Sequence, residues 1–342
     1  MPRIDLAAAT TWITPAAMQH GSALPEHVMQ RLSITRRSAL ALLRKLEAAQ
    51  WLTREGSVRR PRFKPGALKQ VVRTYALQGL QEDVPWKRDF VPFLELRPNV
   101  ARMLQHAFAE LVNNAADHSG GSAVTVSLRL TPMHAQLLVS DDGCGLFARI
   151  EESFQIDDPL LAMFELSKGK LTSMPDAHSG HGLYFTTRLA DFFNLHANDA
   201  AFQRMGEQGS RWASAKPMTR SGTSVYMAVA LDTERTLDSV LRSHSIDPGL
   251  YAFDSTVVPL RLLTGPHHGL ESRAQAKRVV SRLPSAFRRA EVDFSGIDDI
   301  GHGFADELFR VFPRQHPGLE LVPVGMAPRV SAMVRSVTPI AA

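Results

Sequence analysis

Helical and strand periodicities alternate along this chain in three stretches. In the first, Leu24–Leu32 reads as a short helix and Ser33-Ile34-Thr35 as a turn with an N-cap candidate. Arg36–Gln50 reads as a second helix, because Ala39, Leu42, Leu43 and Leu46 recur on one face at helical spacing. Trp51-Leu52 begins an extended piece, which turns at Glu55-Gly56. Pro61, Pro65 and Gly66 then mark a boundary. In the second stretch the spacing predicts a helix over Ala101–Ala116, an alternating strand at Gln136–Ser140, a helix from Gly182 to about Asp191, and a strand opening at Ser221–Tyr226. A helical segment, Thr233–His244, leads to Pro248-Gly249. In the third, a helix (Ser272–Leu283), a strand (Glu291–Phe294), a helix (Phe304–Phe312) and a strand (Leu319–Val324) follow in βαβ-like order. No internal repeat is visible.

Length and composition narrow the picture. A chain of 342 residues suggests two or three domains. Its 44% apolar and 21% charged content is that of a folded globular chain and excludes disorder throughout. The longest apolar runs, such as Val225–Leu231, fall far short of a membrane span, and Met1–Ala9 does not read as a signal peptide. The single cysteine, Cys144, excludes an intramolecular disulfide and a cysteine-based zinc site. A cytoplasmic protein without a membrane partner is expected. The charge is unevenly placed. Residues 1–65 hold 11 Lys and Arg against four Asp and Glu, an excess of +7, whereas the other 277 residues hold 28 against 30. A polyanionic partner is therefore expected for the N-terminal segment alone.

On the Arg36–Gln50 helix, Arg37, Ala41 and Arg44 fall opposite the apolar face, with Arg36 at its start and Lys45 nearby. Arg59-Arg60-Pro61-Arg62 follows in the extended piece. Helix, short turn, basic helix and basic hairpin together resemble a winged helix-turn-helix. The resemblance implies a recognition helix in the major groove and a wing on the backbone, with Arg36, Arg37, Arg44, Lys45, Arg59 and Arg60 as DNA contacts. The competing reading is an amphipathic helical pair that serves as a protein-interaction module.

The chemistry-bearing residues lie in the second stretch. Glu110, Asn114 and His118 recur at i, i+4 and i+8 and so share one helix face. A carboxylate there can orient or deprotonate water, and a carboxamide oxygen suits Mg²⁺. Asp141-Asp142-Gly143-Cys144-Gly145 ends the following strand; an acid beside alternate glycines can accept from an exocyclic amine while a ligand approaches the backbone. Ser179-Gly180-His181-Gly182 opens a helix whose N–H groups favour an anion, and Thr223 stands at the start of the last strand. Lys168 or Lys170, in the intervening 147–179 segment, is expected to reach terminal phosphates. His118, His178 and His181 read as structural or phosphate-contacting histidines, and Cys144 as a space-filler.

In order and spacing these pieces resemble the Bergerat-fold (histidine-kinase-like, GHKL) ATPases, the group that includes gyrase B, the histidine kinases and the anti-sigma-factor serine kinases. The resemblance covers roughly residues 99–231. It implies ATP and Mg²⁺ as cofactors, Glu110 as general base, Asn114 as magnesium ligand and Asp141 as the adenine-binding acid. It further implies that Gly143 and Gly145 provide clearance, that Gly180 and Gly182 cradle phosphate, and that Thr223 supports the adenine-bound water. No phosphoacceptor histidine box precedes the site, which disfavours an ordinary sensor kinase.

The third stretch, with Asp293-Phe294 and Gly303-Phe-Ala-Asp-Glu-Leu-Phe-Arg310, resembles a STAS-like domain. Gly301-His302-Gly303 stands where phospho-switched antagonists carry a serine. The expected architecture is multidomain α/β: a winged helix (1–66), a helical connector (67–98), an α+β ATPase sandwich (99–232), a linker (233–252) and a small α/β STAS-like domain (253–342). The expected function is an ATP-switched DNA-binding regulator with a protein partner through the STAS-like domain; relatives of the ATPase domain often form homodimers. The alternatives are a partner-switching protein serine kinase and a non-hydrolysing ATP-bound scaffold.

Overall fold

The computed structural model describes residues 5–57, 60–173, 180–206, 211–216, 220–247, 249–264 and 269–338. A helix not anticipated from periodicity, α1 (Leu6–His20), comes first; Asp5 caps it by accepting the Ala7 N–H at 2.8 Å. Its buried residues, among them Ile13, Thr14, Pro15 and Ala17, do not form a single narrow stripe, because the helix is covered on more than one side. α2 (Leu24–Leu32) ends at Ser33 in the left-handed region, and Thr35 caps α3 (Arg36–Ala48) through the Ser38 N–H. Ala39, Leu42, Leu43 and Leu46 are buried, as the spacing predicts. β1 (Leu52–Ser57) and β2 (Arg60–Pro65) pair antiparallel. Ile13, Leu24, Val28, Leu43, Trp51 and Phe63 belong to a core that is separate from the larger one.

The expected helical connector over 67–98 is instead a strand followed by short helical turns. β3 (Lys69–Ala76) pairs antiparallel with β4 (Ala123–Leu130) and becomes the edge of the main sheet. Val71 is buried there. The Gln70 N–H donates to Thr14 Oγ1 at 3.0 Å, so α1 covers the outer side of this edge. The turns over 83–93 place Trp86 and Phe90 against Phe108, with ring centroids 5.3 and 5.5 Å apart. Each such aromatic pair contributes about 0.5–1.5 kcal/mol beyond its buried area.

The central unit continues with α4 (Pro98–His118), β5 (His134–Asp141), α5 (Leu146–Phe154), α6 (Pro159–Ser167), α7 (Gly182–Leu189), β6 (Phe192–Ala197), β7 (Ala200–Met205), β8 (Arg211–Ser214) and β9 (Thr223–Ala230). Among the described residues seven strands form one sheet in the order β3-β4-β5-β9-β6-β7-β8, each neighbouring pair antiparallel. β4 alternates between buried and half-buried positions, the pattern of a strand with one face on the core. α4 buries Val100, Met103, Leu104, Ala107, Phe108, Leu111, Val112 and Ala115 and packs beside α7.

After α8 (Leu237–Arg242), three parallel strands form a second sheet: β10 (Ser255–Pro259), β11 (Arg289–Asp293) and β12 (Glu320–Val324). Helical crossovers join them: α9 (Arg273–Val280) and α10 (Leu283–Ala286), then α11 (His302–Asp306), which runs on through a π-helical turn, Glu307–Val311. α12 (Pro328–Val337) follows β12. Phe253, Phe287 and Val292 of this unit share one continuous apolar core with Tyr184 and Leu189 of the central unit.

Candidate nucleotide site

One cavity collects most of the residues that the sequence singles out: Glu110, Asn114, His118, Asp141, Gly145, Gly180, His181, Gly182 and Thr223 all line it. α4 presents Glu110, Asn114 and His118 to the cavity from one stripe while the opposite stripe is core. α7 begins beside this acid, at Gly182. A Cβ on Gly182 would lie 2.1 Å from Glu110 Oε2 and 3.1 Å from its Cβ, so glycine lets the helix start approach the carboxylate without displacing it. The N–H groups of a helix start attract anions, so this is the end of the cavity at which a phosphate is expected.

The other end is built by β5 and β9. Asp141 is buried, and its Oδ1 accepts the N–H groups of Gly143 (2.9 Å) and Thr223 (3.1 Å). Burial pushes this carboxyl above the ordinary carboxylate range, against the two backbone donors. Gly222 has φ of +82°, and a Cβ there would lie 2.1 Å from the Asp141 carbonyl oxygen. Apolar side chains, among them Val139, Leu146, Ile150, Leu195 and Val225, complete a slot suited to a flat ring. The neighbouring Asp142 has a different task. It accepts from the Ser122 N–H, the Ser122 hydroxyl and the Ala123 N–H at 2.6–2.9 Å, which holds its carboxyl down at about 2, the Ser122 hydroxyl contributing most. It fastens the start of β4 and takes no part in the cavity.

Two expectations are corrected. Gly143 does not line the cavity. The room that its missing side chain leaves is taken by Ser119, whose carbonyl oxygen would lie 2.2 Å from a Cβ. Lys168 does not reach the phosphate end. It is fully buried and pairs with Glu165 at 2.7 Å, because a residue three positions back on the same helical turn offers it a carboxylate. Lys170 also turns away, donating to the Ala286 carbonyl at 2.7 Å. His181 packs edge-on against Phe253 (4.7 Å), and burial, followed by the charge of Lys170, pushes it down to about 4, so it stands neutral at pH 7. It lines the cavity while packing on Phe253, in keeping with the structural one of the two readings given for it. His178, Ser179 and Arg59, with the Arg60 side chain, lie outside the described residues.

Two residues that the sequence reading missed shape the site. Arg149 is the one Lys or Arg among the described residues lining the cavity, and its Nε donates to the His118 carbonyl at 2.9 Å. Its signal is its position in the first turn of the helix after Gly145. Asn198, in the β6–β7 turn at φ of +53°, donates to the Cys144 carbonyl (2.9 Å) and accepts from the Ala148 N–H (3.3 Å). A Cβ on Gly145 would lie 2.5 Å from its Oδ1, so Gly145 makes room for this clamp. Nothing in the local sequence signals a partner 54 residues away.

These arrangements coincide with a family match. Residues 99–233 match the family described as histidine kinase-, DNA gyrase B-, and HSP90-like ATPase. The central unit is an ATPase domain of this type. Residues 275–330 match a STAS-like domain of unknown function (DUF4325). No curated protein matches the chain. The ATPase domain's fit to ATP with magnesium rests on the donors present: a buried acid above an apolar slot, a glycine helix start, and oxygen donors on one face of α4. Among the described residues no group of three or more His, Cys, Asp and Glu could hold a metal ion. No helix among them is long and apolar enough to cross a membrane.

The N-terminal face stands apart from this cavity. Arg37, Ala41, Arg44 and Lys45 are exposed on α3. Arg36 pairs with Glu26 at 2.8 Å, an exposed pair of small energetic weight. Arg37, Arg44 and Lys45 form no ion pair with any described residue.

Proposed function

We propose that the protein is an ATP-binding, ATP-hydrolysing regulator that couples nucleotide state to DNA binding through a winged helix at its N-terminus. The observation that carries the nucleotide half is the meeting of Glu110, Asn114, Asp141 and Gly182 around one cavity in an ATPase-family domain. Asp141 would take the amino group of the base and Thr223 would stand beside it. Asn114 would hold the magnesium ion, and Glu110 would take the proton of the attacking water. Magnesium supplies neutralisation of phosphate charge. The DNA half is supported by the exposed, unpaired cations of α3 and by the hairpin that follows it.

The serine-kinase alternative draws no support from an acceptor within the chain. At Gly301 a Cβ would lie 2.8 Å from both the Cα and the carbonyl oxygen of Glu271, so a serine does not fit there. Incubation with γ-labelled ATP is expected to release free phosphate and leave the protein unlabelled; labelled protein would favour the kinase reading. Retention of a nonspecific duplex should fall steeply with salt, and Arg37→Ala/Arg44→Ala should flatten the salt slope by about 2. ATP is expected to change the retention. Binding indifferent to salt and to both substitutions would refute DNA recognition by α3.

A further inference from the structure

The segment 165–173 is a wall with two sides. Leu166, Leu171, Thr172 and Ser173 line the nucleotide cavity. From the same nine residues, Glu165, Lys168 and Lys170 are held by the STAS-like unit. Arg282 Nε donates to Glu165 Oε2 at 2.8 Å and its Nη2 to the Glu165 carbonyl at 2.9 Å. Lys168 Nζ donates to the Arg278 carbonyl at 3.1 Å, in addition to its pair with Glu165. The Glu165 and Lys168 side chains are 10% and 0% exposed, while Arg282, at 32%, reaches this buried pair from the rim of the junction. Arg282 holds φ of +64°, a conformation that a non-glycine residue keeps only where its surroundings fix it. The start of α7 is held as well: Phe253 stands on His181, and a Cβ on Gly169 would lie 2.6 Å from the Phe253 ring. The Lys170 N–H donates to the Gly180 carbonyl at 3.0 Å, which ties the 165–173 wall to the residues that open α7.

We propose that Arg282 is a positioning residue for the nucleotide site: the STAS-like domain, through Arg282 and Glu165, holds the cavity wall in its binding position, so that docking of this domain and occupancy of the site strengthen each other. The inference rests on the nucleotide reading of the cavity. A shared wall cannot be moved from one side without a cost on the other, and such linkage is reciprocal. The segment 278–287 lines no part of the cavity, so an effect of nucleotide on it is relayed, through the wall or through Phe253, which packs on both Phe287 and His181; the Arg282 variants separate the two routes.

The test uses the full chain. In the parent protein, magnesium-ATP is expected to slow amide hydrogen exchange over 278–287. Arg282→Gln is expected to weaken binding of a trinitrophenyl-ATP probe by about tenfold and to remove the ATP-dependent protection. Arg282→Lys, which keeps a cation beside Glu165, should recover part of both. A parent that binds the probe but shows no nucleotide effect at 278–287 overturns the proposal without touching the site assignment, and needs no variant to fold. A folded Arg282→Gln protein with parental affinity does the same. A parent that binds no nucleotide overturns both.

Discussion

Glu110→Gln should lower the rate of ATP hydrolysis by about a hundred- to ten-thousandfold, the range spanned by loss of a positioned general base. Nucleotide affinity should stay within a few-fold of the parent. The substitution is nearly isosteric, and the space is closely defined: Gly182 has no side chain where a Cβ would lie 2.1 Å from Glu110 Oε2. An amide fits the same volume at the same helix start, so the loss reports the missing basicity and not a collapsed wall. Phosphate release and probe titration on the same sample separate the two quantities. Unchanged hydrolysis would remove Glu110 from the role of base; equal loss of binding would make it a ligand or a structural group.

Asp141→Asn should act in the opposite sense on stability and on binding. Burial disfavours the ionised carboxyl, and its pKa is raised in the folded state. A raised carboxyl contributes stability at low pH that is lost as pH rises through the folded value. The asparagine variant does not titrate, so its melting temperature should gain on the parent as pH climbs above 3.8, the ordinary carboxylate value. Its Oδ1 can still accept from Gly143 and Thr223, which leaves the fold intact. The second position would then carry an amide donor facing the exocyclic amine of the base. A lost charged hydrogen bond and an opposed donor together cost about 3 kcal/mol, or roughly a hundredfold in affinity. Parallel melts and titrations across pH check both halves; parental affinity would exclude Asp141 as the base-recognising acid.

How much of this was legible in the sequence depended on whether the partners were local. The stripe of Glu110, Asn114 and His118 was legible because helical geometry alone puts those positions on one face. Asp141 was legible from a strand ending in a glycine-bearing turn. Lys168 was misread: its buried environment is made by Arg278 and Ser281, more than a hundred residues further on, and no local pattern announces burial of a lysine. Asn198 was invisible for the same reason. β3 was missed because its side chains are mostly half-buried or exposed, with Val71 and few others on the core, and edge position blurs alternation. α1 was missed because a helix buried on several sides lacks a polar face, and it carries Pro15 inside.

The place of β3 limits how the chain can be dissected. Val124 faces Tyr75 on one side and Asp141 on the other, so the first strand of the sheet lies two rungs from the acid of the cavity. A fragment cut at residue 99 would strip β3 from β4 and leave a row of unpaired backbone groups, an adhesive margin for other copies. A fragment cut at residue 67 would keep β3 but lose Thr14, which caps its Gln70 N–H. The smallest piece with a sealed sheet therefore begins within the basic N-terminal unit, and the ATPase domain borrows its border from its neighbour.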